Sequence, residues 1–174
     1  MDKTWRAILW QQFGASIDMF ENAVRACPDE LWRVRLWGEH AERPELSEFW
    51  YIAFHTLFWL DLYLSGAVEG FNPPAPFTLD ELDAAGLLPE RPYTREELQT
   101  YLEHCRKKCR ATIEALTDQK ARRRCTFAWG AFSFAELLLY TMRHVQEHGA
   151  QMNMILGQQI GSNPGWVVQA KGEK

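Results

Sequence analysis

The chain carries little excess charge and few cysteines, and it has no apolar run long enough to cross a membrane. Its 19 basic and 23 acidic residues leave a net charge of −4, which argues against nucleic acid as a partner. The most hydrophobic uncharged segment, residues 49–60, is well short of the about 20 residues that a transmembrane helix needs. The N-terminal segment lacks the apolar stretch and cleavage site of a signal peptide. Four cysteines without framework spacing favour a reduced, cytoplasmic protein.

Large apolar side chains are abundant in the 174 residues, with eight Trp, ten Phe and five Tyr. They supply the core of one domain. The apolar positions recur at helical spacing, so we predict an all-α fold, a four-helix bundle over residues 1–158. An extended tail, residues 159–174, is predicted to follow, with Trp166 to Val168 docking back on the bundle or on a neighbour.

Two long helices are predicted in the first half of the chain. The first has an apolar stripe from Trp5 to Val24 and ends before Pro28, because a residue that precedes proline disfavours the helical conformation. Residues 29–43 are expected to form a turn and loop. The second helix is predicted over residues 44–65, with Gly66 as its stop, and it is apolar on most sides.

Two further helices are predicted after a long Pro-rich connection, residues 66–93. Capping boxes at Thr94 and Ser133 open helices that run to about Thr117 and Gly157. A further box-like segment, residues 78–81, predicts a short helix inside the connection. Residues 126–129 form a candidate strand without a partner.

Three of the five histidines indicate a metal site. His144 and His148 lie four residues apart in the last predicted helix, so their rings share one face. His55 lies on an apolar stripe of the second helix. Three imidazole nitrogens and an open position are the ligand set of a catalytic zinc site, and imidazole also suits nickel, iron and copper. The residues alone leave open the alternative that these are core histidines hydrogen-bonded to protein neighbours.

The segment from His144 to His148 also matches the inverted zincin pattern H-x-x-E-H, with Glu147 as the base. That pattern needs an acidic ligand later in the chain. Glu173, near the end of a polar tail, is the only acidic residue after His148, so a peptidase is not favoured. Glu147 lies about 100° around the helix from His148 and is expected to face solvent.

The chain resembles the DinB-like (DinB/YfiT) superfamily of metal-dependent enzymes over roughly residues 5–158. The matching features are His55 followed by Trp59 and Asp61, the pair His144-x3-His148 followed by Gln151, the segment 28–32 after the first helix, and the loop before residue 45.

The resemblance implies a four-helix bundle that often dimerises and a divalent metal ion held by His55, His144 and His148. Zinc and nickel are the first expectations for that ion, followed by iron and manganese. Relatives include S-transferases and isomerases that use low-molecular-weight thiols, and others are described as hydrolases. The implied function is therefore a metal-dependent hydrolase or thiol-dependent S-transferase that acts on a small molecule, as a homodimer. The alternative is a non-enzymatic ligand-binding or dimerisation bundle with structural histidines.

The positions of two neighbours of the triad, Gln151 and Asp61, are predicted from their spacing along the helices. Gln151, one turn beyond His148, is either a contact to the site or a side chain that faces a polar gap. Asp61 follows His55 by six residues and lies about 240° around the helix from it, so a direct contact is not expected and a surface position is favoured.

The remaining polar signals have simpler interpretations. Cys105 and Cys109 are predicted to be core thiols rather than a second metal site with His104. His40 is expected in a solvated loop. The basic residues of the segment 106–124 are expected to form a solvated face that can also steer an anionic substrate.

Overall fold

The computed structural model describes residues 2–38 and 43–172. His40, which the sequence predicts in a solvated loop, lies outside the described residues. The all-α prediction is confirmed, because helices dominate and the only sheet in the described part of the chain is one small hairpin. The elements in chain order are α1 (Lys3–Ala26), α2 (Phe49–Ser65), α3 (Arg95–Glu114), α4 (Asp118–Arg122), β1 (Arg124–Phe127), β2 (Gly130–Ser133) and α5 (Phe134–Ile160).

The four long helices, α1, α2, α3 and α5, form the bundle. Helix α1 packs against α3 and α5, and helix α2 packs against the same two helices. The consecutive helices α1 and α2 therefore lie on a diagonal, which differs from the simple antiparallel order in which each helix packs on the next. This order places α2 directly beside α5, and these are the two helices that carry the candidate ligands.

Helix α2 begins five residues later than predicted. Residues Pro44–Ser47 form a 3-10 turn, and Glu48 is extended, with φ −65° and ψ 145°. The reason is a short antiparallel bridge between Arg35 and Glu48, which occupies this backbone before the helix starts. The predicted stop is confirmed, since Gly66 adopts a left-handed conformation with φ 75° and ends the helix.

The two predicted capping boxes at Thr94 and Ser133 are present, and each opens its helix as expected. Helix α3 ends at Glu114, slightly earlier than predicted. Thr117 instead caps α4, where its hydroxyl accepts a hydrogen bond from the backbone of Lys120. Helix α5 continues to Ile160, three residues beyond the predicted end.

The prediction of an unpaired strand at residues 126–129 was wrong. Strand β1 pairs in antiparallel register with β2, and Phe127 lies opposite Gly130. The hairpin turn places Trp129 on the surface, where it is 47% exposed. The partner was missed because β2 is only four residues long and runs directly into the capping box of α5.

The core is apolar and continuous, and α2 is its centre. Most residues of α2 are buried, as its lack of a polar face predicted. The C-terminal tail docks on α1 through its backbone. The N–H of Ala170 donates to the carbonyl of Gln11 at 2.9 Å, and the N–H of Lys171 donates to Asp18 Oδ2 at 2.6 Å. The docking does not use the side chain of Trp166, which is 70% exposed.

Candidate metal centre

The three histidines that the sequence singled out meet between α2 and α5. His55 Nε2 lies 3.3 Å from His144 Nε2, and His148 Nε2 lies 3.1 Å from His144 Nε2. Each residue offers one ring nitrogen, and all three of these atoms lie within 4.8 Å of one another. Each of the three residues is half-buried, so the cluster sits at the edge of the bundle core.

The spacing of these nitrogens fits a common metal ion. A tetrahedral site with metal–nitrogen bonds of 2.0–2.1 Å has neighbouring ligand atoms about 3.3–3.4 Å apart. The two separations of 3.3 Å and 3.1 Å are close to that edge length. The turn of α5 produces the first half of this arrangement, since it brings His144 and His148 onto one face with ring centroids 4.5 Å apart. His55 on α2 completes it.

The surroundings of the two histidines on α5 favour their neutral forms. Burial, together with the proximity of His148 and His55, lowers the pKa of His144 to about 2. Burial also lowers the pKa of His148, and this outweighs the opposing effect of the hydrogen bond that its ring donates to Gln151. Neutral imidazole is the form that ligates metals, because one ring nitrogen then carries a free lone pair.

The outer nitrogens of two of the histidines are hydrogen-bonded. His55 Nδ1 lies 2.7 Å from Glu81 Oε2, and His148 Nδ1 lies 2.7 Å from Gln151 Oε1. Both acceptors require a proton on Nδ1, which leaves the lone pair on Nε2, pointing into the cluster. The three facing Nε2 atoms can therefore share at most the one proton of His144. Bound cations relieve such a concentration of lone pairs.

His144 differs from the other two histidines of the cluster. Its Nδ1 is buried and has no hydrogen-bond partner in residues 2–38 and 43–172. Metal-bound histidines usually have an acceptor at this position. The cluster therefore has a carboxylate behind one ring, an amide behind the second, and nothing from the described protein behind the third.

Glu81 is the residue of this site that the sequence interpretation missed. Its carboxylate is 5% exposed and accepts hydrogen bonds from three side chains of α2: the hydroxyl of Tyr51, Nδ1 of His55 and Nε1 of Trp59. Burial alone would raise the pKa of Glu81, but the interaction with His55 and the two other donors hold it below its ordinary value. Glu81 is therefore ionised at neutral pH and fixes the orientation of His55.

The short helix predicted from residues 78–81 is a 3-10 turn, Asp80–Leu82, and the capping box is not formed. Thr78 donates to Asp80 instead, at 2.5 Å, so Glu81 is free to turn inward. The spacing of a capping box predicts that the glutamate bonds to the backbone at the start of its own helix. The actual partners of Glu81 lie 22 to 30 residues earlier in the chain. No local sequence signal distinguishes these two outcomes.

The prediction that Asp61 lies on the surface was also wrong. The residue is 1% exposed and does not contact His55. Its Oδ1 accepts from Lys108 Nζ at 2.5 Å, and its Oδ2 accepts from the hydroxyl of Tyr101 at 3.1 Å. His104 Nε2 lies 3.4 Å from the same carboxylate. Asp61 thus belongs to a separate cluster between α2 and α3.

The cysteines and Glu147 lie where the sequence predicts them, whereas the basic segment does so only in part. All four cysteines are buried and free, so Cys105 and Cys109 are core thiols as predicted. Glu147 is exposed, as predicted. Part of the basic segment is not a solvated face: Arg106 is paired with Asp18 and Glu21, and Lys108 with Asp61. The other exposed basic residues of the segment are Lys107, Lys120, Arg122, Arg123 and Arg124.

An aromatic surface adjoins the triad on the side of the β-hairpin. We call it the aromatic shelf and define it as Trp59, Tyr63, Trp129 and Tyr140. The ring of Trp59 lies 6.2 Å from that of His55, and the ring of Tyr63 lies 6.5 Å from that of His144. The shelf is therefore in contact with the rings of two of the three histidines.

Comparison with known proteins identifies the family. The model of the DinB superfamily matches residues 12–152, which is most of the chain. The chain belongs to the DinB superfamily. The resemblance stated from the triad and its neighbours is thereby confirmed. No curated protein matches the chain significantly.

A solved structure of a DinB superfamily protein shows the same fold. This chain is similar to a DinB-like protein, YjoA, from Bacillus subtilis, with 12% sequence identity and a TM-score of 0.57. The similarity covers 92% of this chain and 96% of the other. At this identity the likeness establishes the fold alone. Within the described part of the chain, no helix combines the length and apolar character that crossing a bilayer demands.

Proposed function

We propose that this DinB superfamily protein binds one divalent metal ion through the Nε2 atoms of His55, His144 and His148. The observation that carries the proposal is the convergence of three imidazole Nε2 atoms, two of them on rings whose Nδ1 atoms are hydrogen-bonded to Glu81 and Gln151. Zinc or nickel suits three imidazole ligands best, and iron or manganese follows.

The reaction we propose is thiol-dependent S-transfer or hydrolysis on a small molecule. A divalent ion held by these three histidines would supply Lewis acidity and would lower the pKa of a bound water or thiol. The residues of the chain hold the ligands and exclude solvent on the core side. Half-burial of the triad leaves the outer side open to a small substrate.

S-transfer is the better supported of the two reactions. Hydrolysis commonly uses a side chain that removes a proton from the attacking water. In the described residues, Glu81 lies behind His55 with three donors on its carboxylate, and Glu147 is exposed. Neither carboxylate is hydrogen-bonded to an Nε2 atom of the triad. A thiol needs less assistance, because its pKa is already closer to neutral than that of water.

The first experiment is metal analysis of untagged protein purified without added metal. Wild type is expected to carry about one ion per chain, and His144→Ala is expected to carry less than about one tenth of that, because one of three ligands is lost. His104→Ala is the matched control, since His104 lies outside the triad and should leave metal content unchanged. Wild-type protein that takes up no metal, even after incubation with Zn²⁺ or Ni²⁺, contradicts the proposal.

Activity assays then separate the two reactions. Metal-loaded protein is compared with His144→Ala in S-transfer assays with several low-molecular-weight thiols and in esterase and amidase assays. S-transfer that disappears in the variant supports the preferred reaction. The homodimer predicted from the family resemblance remains part of the proposal, and light scattering on the purified chain measures it.

A further inference from the structure

The aromatic shelf has one member whose position is fixed although much of it is exposed to water. Trp129 stacks on Phe127 with ring centroids 5.2 Å apart and an interplanar angle of 14°, and it meets Trp59 edge-on at 5.1 Å. The ring is nevertheless 47% exposed. Nearly half of this anchored ring is therefore available to an apolar group.

The surroundings of the triad are asymmetric. Along α5 the side chains at the site follow the order Tyr140, His144, His148 and Gln151, so an aromatic ring lies at one end and an amide at the other. Tyr140 packs edge-on against Tyr63 at 5.4 Å, which joins α5 to the shelf. A molecule that reaches the triad therefore meets apolar rings on the hairpin side and polar groups on the opposite side.

We infer that the aromatic shelf binds the apolar, preferably aromatic, part of the small-molecule substrate whose reacting end lies at the triad. The inference rests on the proposed function. Small-molecule sites are typically mostly apolar with a few polar groups that fix orientation, and this is the composition found here. Trp129 is separated from the histidines by a single ring, Trp59 or Tyr63, which suits a substrate with a side group of benzyl size.

The test compares two probes that carry the same metal-binding group. Acetohydroxamate has only a methyl group, and 3-phenylpropionohydroxamate adds a benzyl extension to it. Their affinities for the Co²⁺-loaded protein are measured from the visible spectrum of the metal. Wild type is expected to bind the phenyl probe about tenfold more tightly, from one favourable aromatic contact and the area that it buries.

Trp129→Ala is expected to reduce that preference to about twofold while its affinity for acetohydroxamate stays unchanged, because the metal and the common group are untouched. Trp129→Leu keeps part of the apolar surface and should give an intermediate preference, which also covers the case in which the alanine variant folds poorly. Trp166→Ala is the matched control, since this tryptophan is exposed in the tail and should retain the wild-type preference.

The outcomes separate the two proposals. Protein that takes up no Co²⁺ contradicts the metal site and with it the shelf. Protein that takes up Co²⁺ but binds both probes equally, or whose preference survives both Trp129 substitutions, contradicts the shelf alone. A change in oligomeric state on Trp129→Ala, with the preference for the phenyl probe intact, would assign the exposed ring to a contact between chains instead.

Discussion

Helix α2 carries two polar centres six residues apart, and they are built differently. Around Asp61 the donors and acceptors balance inside the chain, because Lys108 and Tyr101 both donate to the buried carboxylate. Around His55 three imidazole Nε2 atoms face one another with at most the one proton of His144 among them, and the carboxylate of Glu81 lies behind His55. The first centre has its partners within the chain, whereas the second would gain a partner for its nitrogens from the proposed cation.

This contrast distinguishes a structural cluster from a binding site more reliably than burial does. Both centres contain polar groups on an otherwise apolar helix, and either could be interpreted from sequence as a stabilised core polar residue. What separates them is the count of protons against lone pairs. The following predictions test whether the Asp61 cluster is complete and whether the histidine cluster needs a cation.

The largest effect is expected on breaking the Asp61 cluster. Lys108→Met should reduce the free energy of unfolding by about 3 kcal/mol or more, because it leaves a buried carboxylate without its main partner. Urea denaturation measures the loss. Adding Asp61→Asn to this variant should restore part of the stability, since the uncompensated charge is removed. A single variant as stable as wild type would show that this centre is not balanced by Lys108.

Removing the charge behind His55 should weaken metal binding without removing it. Glu81→Gln is expected to reduce affinity for Zn²⁺ about 10- to 100-fold, because the amide orients His55 less firmly and carries no charge. Competition with a chromophoric chelator gives the affinity. Glu96→Gln, on the exposed face of α3, is the control and should bind like wild type. Equal affinities for the three proteins would mean that Glu81 does not support the ligand.

A smaller effect is expected on the pH dependence of the metal-free protein. The pKa of His144 is about 2 in the folded chain, below the about 6.5 of an exposed histidine, so the unfolded chain binds more protons between these values. Stability should therefore fall as the pH drops below about 6.5, by at most about 1.4 kcal/mol per pH unit for this group.

Urea titrations between pH 7.5 and 5, with chelator present, measure this dependence. His144→Gln should show a shallower slope than wild type, because glutamine does not titrate. Equal slopes would indicate that His144 is not held neutral by its surroundings. Saturating metal should steepen the wild-type dependence further, because protons compete with the metal for the same nitrogens.

The predictable parts of the molecule depended on local patterns. The capping boxes at Thr94 and Ser133, the stop at Gly66 and the pair His144 and His148 all follow from residues within a few positions of one another. The bundle and the meeting of His55 with that pair were also anticipated, because an apolar stripe indicates which face of a helix turns inward.

The missed parts depended on contacts between distant segments. Glu81 reaches back to His55 across 26 residues, and Lys108 reaches Asp61 across 47. In both cases the sequence favoured a local or solvent-exposed role for a carboxylate, whereas a donor from another element determined its position. Helical spacing shows which residues share a face of a helix. It does not show which side chain of a neighbouring element contacts that face.

The two halves of the histidine cluster are 89 residues apart in the chain. During synthesis α2 therefore leaves the ribosome long before α5 exists, and its almost wholly apolar surface lacks one of its two neighbouring helices during that interval. The cluster can close only when nearly all of the bundle has been made. An occupied site is for this reason a signature of a finished chain, and truncations that stop before α5 would leave α2 to aggregate or to be degraded.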